Sequence, residues 1–222
     1  NWPNGYEGLY RSTDGGNNWS QVLPNVTGYT VPYQPSDIEI DASNNIWIGT
    51  RRNSYGLGAG TILKSTYSSA TPPSNSGTTW SSLNWTTISP YANRIELACA
   101  PSDANVVYAV GSGGSGDDDI GVFVMSTNGG TTWTSVTIPL NTSGNHFTRG
   151  QAWYDLILAV APDDATVIYA GGIDLHKSID SGNTWNQISH WYGGFELDYV
   201  HADQHSFAFR PGYPNTVIFG ND

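Results

Sequence analysis

The 222-residue sequence has few basic residues, one cysteine and no long hydrophobic run. Lys and Arg number 8 against 19 Asp and Glu, which gives a formal net charge of -11. Such a surface would repel a phosphate backbone, so nucleic acid is excluded as an expected partner. The lack of a long apolar stretch indicates no direct membrane insertion. A single cysteine, Cys99, excludes an intrachain disulfide and is predicted to be a buried structural thiol.

Charged residues make up only 12% of the chain, so its polarity comes mainly from Ser, Thr, Asn and Gly. Gly 26 and Pro 12 interrupt short apolar segments, and Trp 9 with Tyr 13 adds many aromatic rings. This composition predicts many short strands separated by turns, an all-β fold. The chain begins Asn1-Trp2-Pro3, so we expect either a processed protein or an internal piece of a longer one.

A turn motif of the form Ser-x-Asp/Asn-x-Gly-x-x-Trp recurs along the chain. A further copy, between residues 65 and 80, is interrupted by an insertion. The Asp or Asn is expected to bond backbone N–H groups, the Gly to supply a positive φ, and the Trp to pack the turn onto its sheet. The structural motif residues are Ser12, Asp14, Gly16 and Trp19; Ser126, Asn128, Gly130 and Trp133; and Ser178, Asp180, Gly182 and Trp185.

A second pattern recurs in phase with these motifs. Two short apolar or alternating segments, joined by a turn rich in Pro, Asp and Asn, form each copy. The copies span residues 37–49, 95–109, 156–170 and 206–219. Together the two patterns define a repeat of about fifty to sixty residues with four strands, which is the size of one propeller blade.

These repeats resemble the Asp-box (BNR) repeat of sialidases, sortilin-type receptors and xyloglucanase-type propellers. The segments 150–155, 171–173, 189–193 and 200–205 also look like secreted Bacteroidetes propeller proteins of the BNR or glycosyl-hydrolase-like kind. The resemblance implies an all-β fold, a β-propeller segment of four-stranded antiparallel blades with Asp-box turns at the periphery. It also implies a secreted or cell-surface location.

The predicted organisation is a half blade over 1–36, blades over about 37–90, 91–150 and 151–200, and a half blade over 201–222. The two half blades could join to close a four-bladed ring. Because four blades are the lower limit for propellers, we expect instead that the segment is part of a larger ring.

The loops that lead from the last strand of one blade to the first strand of the next should share one face of a propeller. They are rich in aromatic and histidine side chains, which could stack on sugar rings and hold hydroxyl groups, or could instead pack loop on loop and plug the channel. The candidate ligand-binding residues are Trp153, Tyr154, Asp155, Trp191, Tyr192, His201, Asp203 and His205.

Two metal hypotheses arise from the same sequence. On an extended strand His201, Asp203 and His205 would point to one side and could ligate a metal, or could form a hydrogen-bonded cluster. The run Asp117–Asp119 could hold Ca²⁺ or could be a solvated loop. No cofactor is otherwise expected.

No complete catalytic set is visible. A glycosidase needs two carboxylates flanking a cleft, and the candidates are Asp37, Asp155, Glu196, Asp198 and Asp203. The three arginines of a sialidase are not evident. Asp222 resembles a catalytic Asp of xyloglucanase-type propellers, but no role is assigned to it.

The function expected from the sequence is therefore a secreted binding or scaffolding module for an extracellular glycan or a cell-surface protein. The alternative is a glycoside hydrolase of sialidase or xyloglucanase type with part of its site elsewhere. A third possibility is a structural adhesin repeat that binds nothing on this face.

Overall fold

The computed structural model describes residues 7–65, 80–84, 92–113 and 119–222. Most of the interrupted turn motif lies outside these residues, as do Asp117 and Asp118. All regular structure in the described part is β, and it includes no helix long and apolar enough to span a membrane. The strands are β1 (Tyr10–Arg11), β2 (Ser20–Gln21), β3 (Gln34–Ile40), β4 (Ile46–Arg51), β5 (Thr61–Ser65), β6 (Trp80–Asn84), β7 (Ile95–Cys99), β8 (Val107–Gly113), β9 (Asp119–Ser126), β10 (Thr134–Ser135), β11 (Ile157–Val160), β12 (Ile168–Gly171), β13 (Leu175–Ser178), β14 (Asn186–Gln187), β15 (Gln204–Arg210) and β16 (Tyr213–Asn221).

The strands form three four-stranded sheets and two strand pairs. The sheets run β3-β4-β5-β6, β7-β8-β9-β10 and β11-β12-β13-β14, and the pairs are β1-β2 and β15-β16. Every pairing is antiparallel. The first strands contact one another in chain order, β3 with β7, β7 with β11 and β11 with β15. The predicted all-β propeller segment of four-stranded antiparallel blades is confirmed.

The core lies between neighbouring sheets. Trp47 and Ile62 of one sheet pack against Ile95 and Leu97 of the next, and all four are at most 1% exposed. A second cluster joins the sheet containing Tyr108 to the following one and includes Phe147, Leu156 and Ile168. Burying large rings between sheets is the main stabilising term of such a fold.

The three complete turn motifs share one hydrogen-bond pattern. The hydroxyl of Ser12, Ser126 or Ser178 accepts the backbone N–H of the glycine four residues later, at 2.8–2.9 Å. A side-chain oxygen of Asp14, Asn128 or Asp180 accepts the N–H four residues after itself, also at 2.8–2.9 Å. These side chains therefore stabilise the turn by accepting its backbone hydrogen bonds.

The motif tryptophans differ in their surroundings. Trp133 packs on the cluster that joins its own sheet to the preceding one, and the ring of Trp185 lies 5.6 Å from that of Phe123 on the preceding sheet. Trp19 belongs to the first strand pair, remains 62% exposed and donates its indole N–H to Gly16 O at 2.9 Å. The expected packing of the tryptophan onto the blade therefore does not describe Trp19.

Candidate functional site

An exposed ring cluster stands on the loop before β11. Trp153 is 53% exposed and Tyr154 38%, and their ring centroids are 5.4 Å apart. The Tyr154 ring also meets the edge of the His205 ring at 4.7 Å. The Tyr154 hydroxyl donates to Asp222 Oδ2 at 2.9 Å, and His205 Nε2 is 3.3 Å from Asp222 Oδ1. The loop before β11 is thus tied to the one end of the β15-β16 pair where β15 begins and β16 ends.

Arg94 holds this loop from beneath. Its Nη1 donates to the backbone oxygens of Tyr154 at 2.8 Å and Trp153 at 3.3 Å, and its Nε donates to Glu96 Oε1 at 2.9 Å. The sequence analysis assigned no role to Arg94, and no local pattern marks it, because its partners on the loop lie about sixty residues away in the chain.

A second ring cluster is built around His190, which is fully buried. Its ring packs against Tyr192 at 4.4 Å and Phe195 at 5.0 Å, while Trp191 meets Tyr192 at 4.5 Å. The backbone N–H of Trp191 donates to Asp174 Oδ1 at 3.0 Å. Trp191 is 38% exposed and Tyr192 59%, so both rings offer faces to solvent.

The second cluster stands on a strained turn. Phe195 and Glu196 have φ values of 57° and 60°, in the left-handed region that non-glycine residues rarely adopt. Strain of this kind persists where the surrounding structure over-determines it, and it is common at binding sites. No direct ring contact joins the two clusters within the part of the chain that the structure describes.

Asp155 lies beneath the first cluster, not on its surface. It is fully buried, and burial, followed by the nearby charge of Asp203, raises the pKa of its carboxyl to about 8. The hydrogen bond from Tyr154 is the main cause that lowers the pKa of the exposed Asp222 below its usual range. The pKa values of Asp155, on the loop, and of Asp222, which Tyr154 contacts from that loop, are therefore displaced in opposite directions.

The three predicted metal ligands do not converge. Among the described residues, no three His, Cys, Asp or Glu side chains come together as a metal-binding group. The strand begins only at Gln204, and Asp203 has a φ of 62°, so the alternation needed to align His201, Asp203 and His205 is interrupted. His201 contacts the carbonyl oxygen of Ala202, and His205 contacts Asp222. The prediction that these three share one side of a strand is wrong.

The acidic run proposed for Ca²⁺ is described only at Asp119. Its carboxylate contacts His146 Nδ1. The two residues border a polar cleft of roughly 520 Å³ that also contains Arg149. The Ca²⁺ hypothesis for residues 117–119 therefore stays a prediction.

The other carboxylates that the sequence suggested for catalysis lie in two separate regions. Asp37 accepts the N–H of Leu97 at 2.7 Å and lies with Glu39 and Glu96 where β3 meets β7. Burial raises the pKa of Glu39 to about 7 and that of Glu96 to about 8, with the charge of Asp37 adding to each shift. Glu196 and Asp198 are exposed on the strained turn.

The fold and the two ring clusters define a β-propeller segment with an aromatic loop face. No family model matches the chain. In sequence, it is similar to a xyloglucanase of Paenibacillus sp, 36% identical over 98 residues, which cover 42% of this chain and 9% of that protein. A xyloglucanase of Hypocrea jecorina (strain QM6a) is 28% identical over 204 residues, covering 83% of this chain and 23% of that protein.

Among solved structures, YCF48 from Cyanidioschyzon merolae superposes with a TM-score of 0.54 at 16% identity. The match covers 96% of this chain and 58% of that one, and at this identity it concerns the fold alone. The chain spans less than a quarter of the length of the two xyloglucanases. It is a β-propeller segment with partial sequence similarity to xyloglucanases.

Proposed function

We propose that the chain is part of a secreted β-propeller that binds an extracellular glycan through the rings of its two loop clusters. The observation that carries this proposal is the exposure of Trp153, Tyr154, Trp191 and Tyr192, between 38% and 59%, on loops fixed from beneath. Rings held by the bonds of Arg94 and Asp174 lose little freedom on binding, which favours affinity. Flat apolar faces with nearby hydrogen-bonding groups suit sugar rings.

The charge of the chain favours a neutral glycan over an anionic one. Its formal net charge is -11, and the Arg94 guanidinium already donates to three backbone oxygens and to Glu96. A sialoside or sulfated sugar would meet repulsion here, whereas hydroxyl groups could bond to the Asp222 and His205 pair. The similarity to xyloglucanases makes xyloglucan oligosaccharides the first ligand class to test.

The test is titration of the intact protein with xyloglucan oligosaccharides by calorimetry. Trp153→Ala and Trp191→Ala should each weaken binding roughly two- to tenfold, since an aromatic stacking contact is worth roughly 0.5–1.5 kcal/mol beyond its area burial. Tyr55→Ala is the matched control, because Tyr55 is 48% exposed on the loop between β4 and β5. Wild-type affinity in both tryptophan variants, or binding of a cell-surface protein in place of any glycan, would count against the proposal.

A second candidate is that the segment supplies part of a glycoside hydrolase site. The observation that favours it is the pair of carboxyl groups with opposite pKa displacements, Asp155 raised to about 8 and Asp222 lowered, on either side of Tyr154. Glycosidases need one protonated and one ionised carboxyl group. Asp222 is the exposed member and so the one that could reach a substrate.

Hydrolysis is tested by release of reducing ends from xyloglucan by the intact protein. If this candidate is right, Asp222→Asn should lower kcat at least about a hundredfold, as expected for loss of an acid–base group. Asp198→Asn, an exposed carboxylate on the neighbouring turn, is the control. Absence of product from xyloglucan with wild-type protein would remove the hydrolase candidate and leave the binding proposal untouched.

A further inference from the structure

Acceptor oxygens without donors gather beneath Trp153 and Tyr154. Asp155 and Gln204 are fully buried, and Asp203 is half-buried. Neither carboxylate oxygen of Asp155 meets a donor from another residue, and Asp203 Oδ1 and Gln204 Oε1 also have no partner. An unpaired buried carboxylate is among the most unfavourable groups in a protein, so something is expected to compensate it.

The three side chains belong to one site. The Asp203 carboxyl group lies within hydrogen-bonding reach of that of Asp155, but two ionised carboxylates have no hydrogen to share. Gln204 donates its backbone N–H to Gly172 O at 2.9 Å and its side-chain amide N–H to His201 O. A Cβ placed on Gly172 would lie 3.3 Å from the Asp155 carbonyl oxygen, so the backbone of Gly172 lies next to both Asp155 and Gln204.

The charge of Arg94 acts on Asp155, but its guanidinium makes no hydrogen bond to these side-chain oxygens. The hydrogen bonds of Arg94 go to the backbone oxygens of residues 153, 154 and 156 and to Glu96. His205 contacts Asp222 on the exposed side of Tyr154. The Asp155 carboxylate therefore receives no donor from another residue, and a metal ion or a shared proton would hold it beside the Asp203 carboxyl group.

We propose that Asp155 and Asp203, with Gln204 Oε1, bind a Ca²⁺ ion that fixes the loop carrying Trp153 and Tyr154. The donor set consists of hard oxygens alone, which Ca²⁺ prefers, and Ca²⁺ takes six to eight such ligands with water completing the shell. Asp203 has a left-handed φ of 62° immediately before β15 begins, so it does not continue the alternation of that strand. The site differs from both metal hypotheses raised by the sequence.

The experiment uses the intact protein after chelator treatment and compares thermal unfolding without and with 1 mM CaCl₂. Saturation at a hundred times Kd should raise the Tm by roughly 5–10 °C. Calorimetric titration of CaCl₂ into the chelated protein should show one site. Asp155→Asn and Asp203→Asn should abolish both signals, and Asp119→Asn, which removes a carboxylate of the separate acidic run, should keep them.

Several results decide the matter. An unchanged Tm and no binding heat in chelated wild-type protein would mean that the two carboxyl groups share a proton, and would overturn the proposal. Equal Ca²⁺ responses in wild type and Asp203→Asn would overturn it as well. If Asp155→Asn does not fold, the less buried Asp203→Asn variant decides alone. The Tm shift and the heat of Ca²⁺ binding do not depend on whether the loop face binds a glycan.

Discussion

Replacing Gly182 with alanine should lower the free energy of unfolding by about 3–5 kcal/mol. Gly182 has a φ of 80°, where any side chain strains the backbone. A Cβ there would also overlap Val136 Cγ1 on the preceding sheet and lie 3.3 Å from Ile168 Cδ1. The turn cannot move away easily, because Gly182 O accepts the N–H of Thr137 at 3.1 Å and Trp185 Nε1 donates to Thr137 O at 2.7 Å.

Gly16 is the matched control for this substitution. It holds the same motif position with a φ of 94°, but a Cβ there meets only Trp19, at 3.7 Å. Gly16→Ala should therefore report backbone strain alone, about 1–2 kcal/mol. Chemical denaturation of both variants gives the comparison. Equal losses would mean that contact between the third turn and the preceding sheet contributes nothing, contrary to the packing described above.

The fold was predictable because its information is local and repeated. Each turn motif encodes its own hydrogen bonds, from Ser178 and Asp180 for example, and period-2 alternation encodes the strands between motifs. Four in-phase copies then fix the sheets without any knowledge of distant contacts. The strand limits were less predictable: β16 extends to nine residues, Tyr213–Asn221, where the apolar pattern indicated only its centre.

The candidate site was predictable in its aromatic residues and not in its charged ones. Exposed rings such as Trp153 and Trp191 stand out in any loop, whatever its conformation. The role of Arg94 depends on contacts with residues about sixty positions away, and the environment of Asp155 depends on the distant Asp203, which no local pattern records. The metal hypothesis for residues 201–205 assumed an extended backbone, and a single left-handed residue, Asp203, removed that assumption.

Glu96→Gln should make the protein more stable than wild type at pH 8 by roughly 3–4 kcal/mol, and about equally stable at pH 5. Glu96 forms an ion pair with Arg94 at 2.7 Å, so loss of stability is the simpler expectation. Burial nevertheless outweighs the attraction and, together with the charges of Asp37 and Glu39, raises the pKa of Glu96 from 4.5 to about 8. A buried ion pair can be less favourable than its neutral replacement.

The sign follows from proton binding. Between pH 4.5 and 8 the folded state keeps a proton on Glu96 that the unfolded chain has released, so stability falls as the pH rises through this window. Buried His176, whose pKa is lowered to about 4, acts in the opposite direction below pH 6.5, where protonation of the unfolded chain favours unfolding. The wild-type profile therefore mixes both effects, and the informative quantity is the difference between variant and wild type.

In denaturant unfolding of the intact protein, the free energy of unfolding of Glu96→Gln minus that of wild type should grow steadily from pH 5 to pH 8. Glu196→Gln changes an exposed glutamate and should run parallel to wild type at every pH. A Glu96→Gln curve that also runs parallel to wild type, or lies below it at pH 8, would show that the Arg94 ion pair compensates the burial of Glu96. The carboxyl groups where β3 meets β7 would then be ionised at neutral pH, and the inner strands would carry a negative charge that their burial argues against.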